Sequence, residues 1–388
     1  VRTDVEGDAV RVAAREGTVV EALGTVPVGT PVAAPPGGAA PGWGVVAIGP
    51  PGAPELVTSR PGRPAWTDGR PAVQPVVVAV ADRGEGPFTA HVHGSLDLEG
   101  ELMPGSEVTA SRALRVTGRA ERSVLAAARA LTLRGSYREC DLRAGLAAAH
   151  AARLMGIAGD IDARIVELAD ETRLLMATAA HRGTAVTADR VLTGLVARRQ
   201  PTLPAEIEAA ATAARAIRRV EPLLPAAVAD AMDEAAALLA DPGPDGADRL
   251  DRAGRLLGLQ VAMLATLANP GRSLVERIDQ CGLVVAGDLV ITEPAVRCEI
   301  DVRGELTAIG RHAALRGGAV RVGGVLRANE IGHCTVRSDV RDGLVLTAAV
   351  VAAAVELEAA GQLATLPATP GGVRVGVRHG VLVVEPGA

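Results

Sequence analysis

The sequence predicts a mainly β protein: a right-handed parallel β-helix, interrupted by a helical insertion and preceded by a small β-rich N-terminal domain. Three observations predict it. One 17-residue unit is written twice in tandem, ALRVTGRAERSVLAAAR at 113–129 and ALTLRGSYRECDLRAGL at 130–146, so Leu114/Leu131, Gly118/Gly135 and Leu125/Leu142 coincide. The same phase returns beyond residue 280, where Cys281, Leu283, Val285, Gly287 and Leu289 match Cys298, Ile300, Val302, Gly304 and Leu306 at a shift of 17. Finally, Phe, Tyr and Trp total four in 388 residues, so the core must be aliphatic, as in a narrow stacked tube.

The unit itself explains the stacking. Leu114 and Val116, like Leu131 and Leu133, are two apart and share a strand face. Gly118 and Gly135 fall where the strand must bend. A unit this short cannot bury its apolar face alone and needs a copy about 4.8 Å above or below it. Leu96, Leu98 and Gly100 extend the series backwards at a shift of 18, and Val320, Val322 and Gly324 extend it forwards.

In chain order, residues 1–86 lack the period and carry Pro/Gly-rich stretches such as PVAAPPGGAAPGWG around short β runs such as VVVAVA at 76–81. They are expected to form the N-terminal β-rich domain. Residues 87–200 are the first β-helix block, with AGLAAAHAARLMG open to helix by propensity and GDIDARIVELA and HRGTAVTADRVLTGLVA expected to return to strand alternation. Residues 201–280 are the helical insertion. Ile207, Ala211, Ala214 and Ile217 keep helical spacing, as do Val228, Met232, Ala235 and Leu239, then Leu250, Leu257, Val261, Leu264 and Leu267 up to Asn269-Pro270-Gly271. Residues 281–388 are the second block and a β cap. Val355 and Leu357 alternating with Glu356 and Glu358 favour strands, and VRVGVRHGVLVV at 373–384 reads as a hairpin covering an edge.

Composition narrows the function classes. The net charge of −5 argues against a large basic nucleic-acid footprint. All 40 basic residues are Arg, and with no Lys there is no GxxxxGK[ST] phosphate loop. GxSxG, HExxH and the EF-hand loop are also missing from the sequence. No apolar run reaches membrane-spanning length and no charged-then-apolar leader is seen, so a cytoplasmic setting is expected. Four scattered cysteines are not a secreted disulfide scaffold. The 17-residue period with irregular corners also departs from the hexapeptide acyltransferase pattern of six residues per face.

The stretches GDIDARIVELADET (159–172), AAHRGTAVTADRV (179–191), residues 296–333 and GGVRVGVRHGVLVV (371–384) resemble the flagellar assembly protein A family. That resemblance implies a non-enzymatic bacterial scaffold with a β-helix, a helical or coiled-coil segment and a short β tail. It further implies protein partners of flagellar or polar type, or a sugar-transport phosphocarrier.

Several residues carry chemical potential beside a plainer role. His91 and His93 share a strand face, a spacing that suits two metal ligands, but no third ligand is evident and edge histidines are the preferred reading. Cys281 and Cys298 occupy one phase of adjacent rungs and are expected to form a buried thiol ladder, while Cys140 and Cys334 fall elsewhere in the repeat. Asp288 and Glu305 stack one period apart near Arg297 and Arg303, which is read as a hydrated charged row. No catalytic, cofactor or metal residue is therefore assigned. The function expected is a scaffold or adaptor binding other proteins, with a homo-oligomer open. The alternatives are a bactofilin-like polymer, or a polysaccharide-active enzyme using Asp288, Glu299, Asp301 and Glu305. The helix face of Leu250, Leu257, Val261 and Leu264 is a docking candidate for a partner or a second copy, against packing within the insertion.

Overall fold

The computed structural model describes residues 2–6, 9–13, 19–21, 25–26, 28–32, 41, 44–48, 55–67, 70–74, 76–81, 86–243, 245–338, 345–378 and 381–387. The chain forms two compact units: Val1–Leu23 with Val76–Ala148 and Asn269–Ala388, and Gly24–Pro75 with Ala149–Ala268. The N-terminal domain expected over 1–86 is therefore divided. Its strand Val76–Ala81 pairs in parallel with Ser95–Leu102 in the first unit, while its hairpins Val45–Ile48/Glu55–Thr58 and Arg63–Thr67/Arg70–Gln74 lie in the second.

In the first unit the 17-residue repeat sets the register. Ala113–Glu121 lies parallel to Ala130–Arg138 with Leu114 opposite Leu131 and Gly118 opposite Gly135, and Leu125 faces Leu142 on the neighbouring ladder. Inward positions are filled by Leu96, Leu114, Leu131, Leu133, Leu283 and Val302, all at most 1% exposed. Outward positions carry Arg, Asp, Glu and Thr. The glycines between them are required by close backbone approach: a Cβ on Gly135, whose φ is +126°, would sit 1.9 Å from the Gly118 carbonyl oxygen.

The right-handed β-helix solenoid is corrected by the strand pairing. Ser273–Asp279, Leu289–Ile291, Leu306–Ala308, Val325–Gly332, Ala314–Val322 and Ala295–Val302 pair in turn, all parallel, and the last returns to Ser273–Asp279. The result is a closed six-strand parallel barrel with extra strands, in a mainly β unit. Closure arises because long strands serve two ladders. Ser273–Asp279 pairs through Leu274 with Val290 and through Ile278 with Ala295, and Val325–Gly332 pairs through Leu326 with Leu306 and through Glu330 with Ala314. A repeat phase states which residues stack; it does not keep the ladders apart.

Antiparallel strands lie at both ends of the unit. Arg2–Glu6 turns back on Ala9–Ala13, Val373–Arg378 pairs with Val345–Val351 and with Val381–Pro386, and Gln362–Leu366 pairs with Val355–Ala359. The last hairpin turns through Ala360 and Gly361 at φ +51° and +73°, the twist-matched turn of a two-residue loop.

The second unit holds α1 (Ala148–His181), α2 (Ala188–Arg199), α3 (Leu203–Val220), α4 (Ala227–Ala240) and α5 (Gly246–Ala268). Helix thus begins well before residue 201, and the alternation expected over 159–169 and 181–197 is corrected: these residues lie largely in α1 and α2. The cause is a clean helical stripe: Leu154, Ala158, Ile161, Ile165, Leu168 and Thr172 recur every three or four residues and are all buried. On α5, Leu250, Leu257 and Leu264 are fully buried, so the face proposed for docking packs inside this unit. Leu256 of α5 joins Ile48 and Val57 of the first hairpin, and Arg252 binds Glu55 at 2.7 Å and Glu234 at 2.6 Å. The Gln260 Nε2 donates to the Val28 carbonyl at 2.9 Å.

Candidate functional site

The densest concentration of reactive side chains is a single column at one corner of the first unit. Asp141 pairs with Gly282 and Gly282 with Glu299, which stacks Cys140, Cys281 and Cys298 on three successive rungs. Ser106 and Ser123 continue the column on one side, since Glu107 pairs with Val124 and Val124 with Asp141. On the other side Cys298 pairs with Gly318, and the pairing of Ala319 with Thr335 puts Cys334 one rung further. Each of these Ser and Cys residues is at most 2% exposed.

The local backbone explains why small polar residues sit there. The residue just before each one is left-handed: Gly105, Arg122, Glu139, Gln280, Arg297 and His333 all have positive φ, and for the five non-glycines it lies between 46° and 54°. Such a kink costs about 1–3 kcal/mol per non-glycine residue and persists only where the surroundings enforce it. It turns the next side chain inward against bare carbonyls, and a hydroxyl or thiol satisfies them. Ser106 Oγ donates to Met103 O at 2.6 Å, Ser123 Oγ to Glu121 O at 2.9 Å, Cys140 Sγ to Arg138 O at 3.2 Å and Cys298 Sγ to Val296 O at 3.2 Å. Cys281 Sγ reaches Asp279 O at 3.4 Å and accepts from the Cys140 amide at 3.4 Å.

The thiols interact with one another. Cys298 is held below the usual thiol range by the hydrogen bond from Cys281. For Cys281 the bond from Cys140 acts downward, but its own bond to Cys298 and its burial prevail and push it up to about 11. Cys140 is raised, first by its bond to Cys281 and then by burial. Cys334, without a thiol neighbour, is pushed up to about 11 by burial. All four are free cysteines. Over the column lies a charged cover: Arg122 Nε to Glu139 at 3.2 Å, Arg138 Nε to Glu139 at 3.4 Å and Arg297 to Asp279 at 3.0 Å.

The Cys281–Cys298 stack lies where the repeat phase puts it, whereas Cys140 and Cys334, expected elsewhere in the repeat, belong to the same column. The helical insertion between residues 140 and 281 hides the common phase.

The other candidate residues do not converge. His91 and His93 form an edge-on ring pair with centroids 5.1 Å apart, and the His91 Nδ1 lies 2.7 Å from Thr109 Oγ1. Among the described residues, no group of three or more His, Cys, Asp or Glu is arranged to hold a metal ion. Asp288 accepts from the Glu305 amide at 2.9 Å, and Glu305 pairs with Arg327 and accepts from Thr307 at 3.1 Å. Asp301 faces Arg321 at 3.9 Å. These carboxylates are spent on neighbours in a surface row. In the second unit, a cleft of about 460 Å³ is lined by Arg215, Arg218, Arg219, Leu154, Leu224 and Asp230. Arg215 is paired with Asp233 and Arg218 donates to the Leu224 carbonyl at 3.3 Å.

Compared with protein families, curated proteins and solved structures, the chain matches none. No described helix is long and apolar enough to cross a membrane.

Proposed function

We propose that this protein is a non-enzymatic scaffold or adaptor that presents protein-binding surfaces on a rigid stacked sheet. The observation that carries this reading is the pairing of outward charges across rungs. Arg115 meets Asp97 at 3.7 Å, Arg297 meets Asp279 at 3.0 Å, Arg316 meets Glu330 at 2.7 Å and Arg337 meets Glu358 at 3.0 Å. Carboxylates tied up in this way are poorly placed for the acid/base work of a polysaccharide-active enzyme, which needs an uncommitted pair facing a cleft. The resemblance to the flagellar assembly protein A family points the same way, and suggests partners of flagellar, polar or phosphocarrier type in a cytoplasmic setting.

The antiparallel strands at both ends favour a discrete particle over a bactofilin-like polymer, because end-to-end growth of a parallel stack needs parallel edges left bare. Light scattering coupled to size exclusion over a wide concentration range tests this. A discrete, concentration-independent mass is expected, and growth into filaments would replace the adaptor reading with a cytoskeletal one.

A further inference from the structure

We propose that the thiol column is an oxidation site, in which Cys281 forms an intramolecular disulfide with a stacked neighbour, Cys298 in the first instance. Residues paired across a parallel ladder lie about 4.8 Å apart at Cα, inside the range of roughly 4.4–6.8 Å that a disulfide spans, and their stacked Cβ atoms need to close by only a few tenths of an ångström to reach the roughly 3.5–4.5 Å it requires. Cys281 has such a partner on each side, Cys140 and Cys298. Cys140 and Cys298 are two rungs apart, roughly 10 Å, and cannot bridge directly. Gly318 separates Cys298 from Cys334 in the same way. One disulfide at most can therefore form, and Cys281 must be in it.

The chemistry starts at Cys298, which receives the hydrogen bond from Cys281 and reaches the thiolate state most readily of the three. With a peroxide as oxidant, the Cys298 thiolate attacks one oxygen, the O–O bond breaks, and a sulfenic acid forms while the departing hydroxide takes up a proton as water. The Cys281 sulfur then attacks the sulfenic sulfur, the S–O bond breaks, and the leaving hydroxide with the Cys281 proton makes a second water. Two thiols are oxidised and one peroxide is reduced to two waters. Each of the three thiols is at most 2% exposed, so a small peroxide reaches them more readily than a bulky thiol reagent does. Oxidation would tie the barrel strand Ala295–Val302, which carries Cys298, to the adjoining strand Gly282–Val285 outside the ring.

The test is hydrogen peroxide treatment of the full folded chain, followed by thiol counting and peptide mapping under non-reducing conditions. The expected result is loss of two of the four thiols, a link from Cys281 to Cys298 or Cys140, and a free Cys334. Retention of all four thiols, or a link containing Cys334, would overturn the proposal. Cys281→Ser supplies the second arm. It preserves the corner hydrogen bonds, as Ser106 and Ser123 do, and should abolish the disulfide while Cys140→Ser leaves it in place; a Cys140 to Cys298 link in the Cys281→Ser chain would also overturn it. None of these outcomes depends on the scaffold reading.

Discussion

Three glycine-to-alanine changes in the sheet unit separate the causes of glycine use, and the structure fixes their order. At Gly282 nothing lies within 4 Å of a new Cβ, so Gly282→Ala should change stability by no more than about 0.5–1 kcal/mol, in the stabilising direction. At Gly361 space is again open but φ is +73°, so Gly361→Ala should cost about 1–2 kcal/mol from backbone strain alone. At Gly135 the new Cβ would meet the Gly118 carbonyl oxygen at 1.9 Å with φ at +126°. Neither group is a flexible side chain, so the rungs must part. That adds the loss of ladder hydrogen bonds between these two strands, at about 1 kcal/mol each, to the strain. Gly135→Ala should therefore cost about 4 kcal/mol or more. Urea unfolding followed through Tyr137, the single tyrosine of the chain and buried in this unit, measures all three. Equal costs for Gly135→Ala and Gly361→Ala would refute the close-approach argument.

Other expectations concern packing and titration. Leu131→Ala, at a fully buried position, should cost about 3–5 kcal/mol by the same unfolding assay. Tyr137→Phe removes the 2.9 Å bond from the phenol to the Val116 carbonyl and should cost about 1 kcal/mol. Cys281 and Cys334 are pushed up to about 11 from 9.0, so the fold favours their neutral forms. That stability is intact below pH 9 and is lost as pH rises through about 11, so the unfolding midpoint should fall over this window, and less so in Cys334→Ala. Tyr137 and Cys140 are raised as well and add to the same fall, so the difference between the parent chain and Cys334→Ala isolates the share of one thiol. Asp162, packed against Gly258, is raised by burial, so its charged form burdens the fold at neutral pH. Asp162→Asn should raise the midpoint of the helical unit at pH 7, with the gain vanishing below the ordinary carboxylate pKa.

How far the sequence discloses this architecture depends on the range of each signal. The tandem repeat is local and uninterrupted, so the register of Leu114 with Leu131 and Gly118 with Gly135 is legible in full. The closure of six strands into a ring is not, because it depends on strands such as Ser273–Asp279 dividing their length between two neighbours. The stripe from Leu154 to Thr172 was available as a helical signal, but Ala-rich segments with alternating charges satisfy both periods over short windows. The split of residues 1–86 between two units is set by partners far along the chain, such as Gln260 for Val28. The reactive column was half visible: Cys281 and Cys298 share a phase, whereas recruiting Cys140 requires knowing that the chain resumes one rung above where it left.

That resumption has a practical meaning. Ala286 donates its amide to Ala144 O at 2.9 Å, and a Cβ on Gly145 would lie 2.9 Å from Pro270 Cβ, so the exit and re-entry of the chain are neighbours. The whole stretch 149–268 is thus spliced in at a single point of the sheet unit, as a cargo cassette is inserted at one port. A short flexible bridge across that port would keep the strand pairings of the sheet unit, while Val28, Ile48, Glu55 and Val57 would lose their α5 partners Gln260, Leu256 and Arg252.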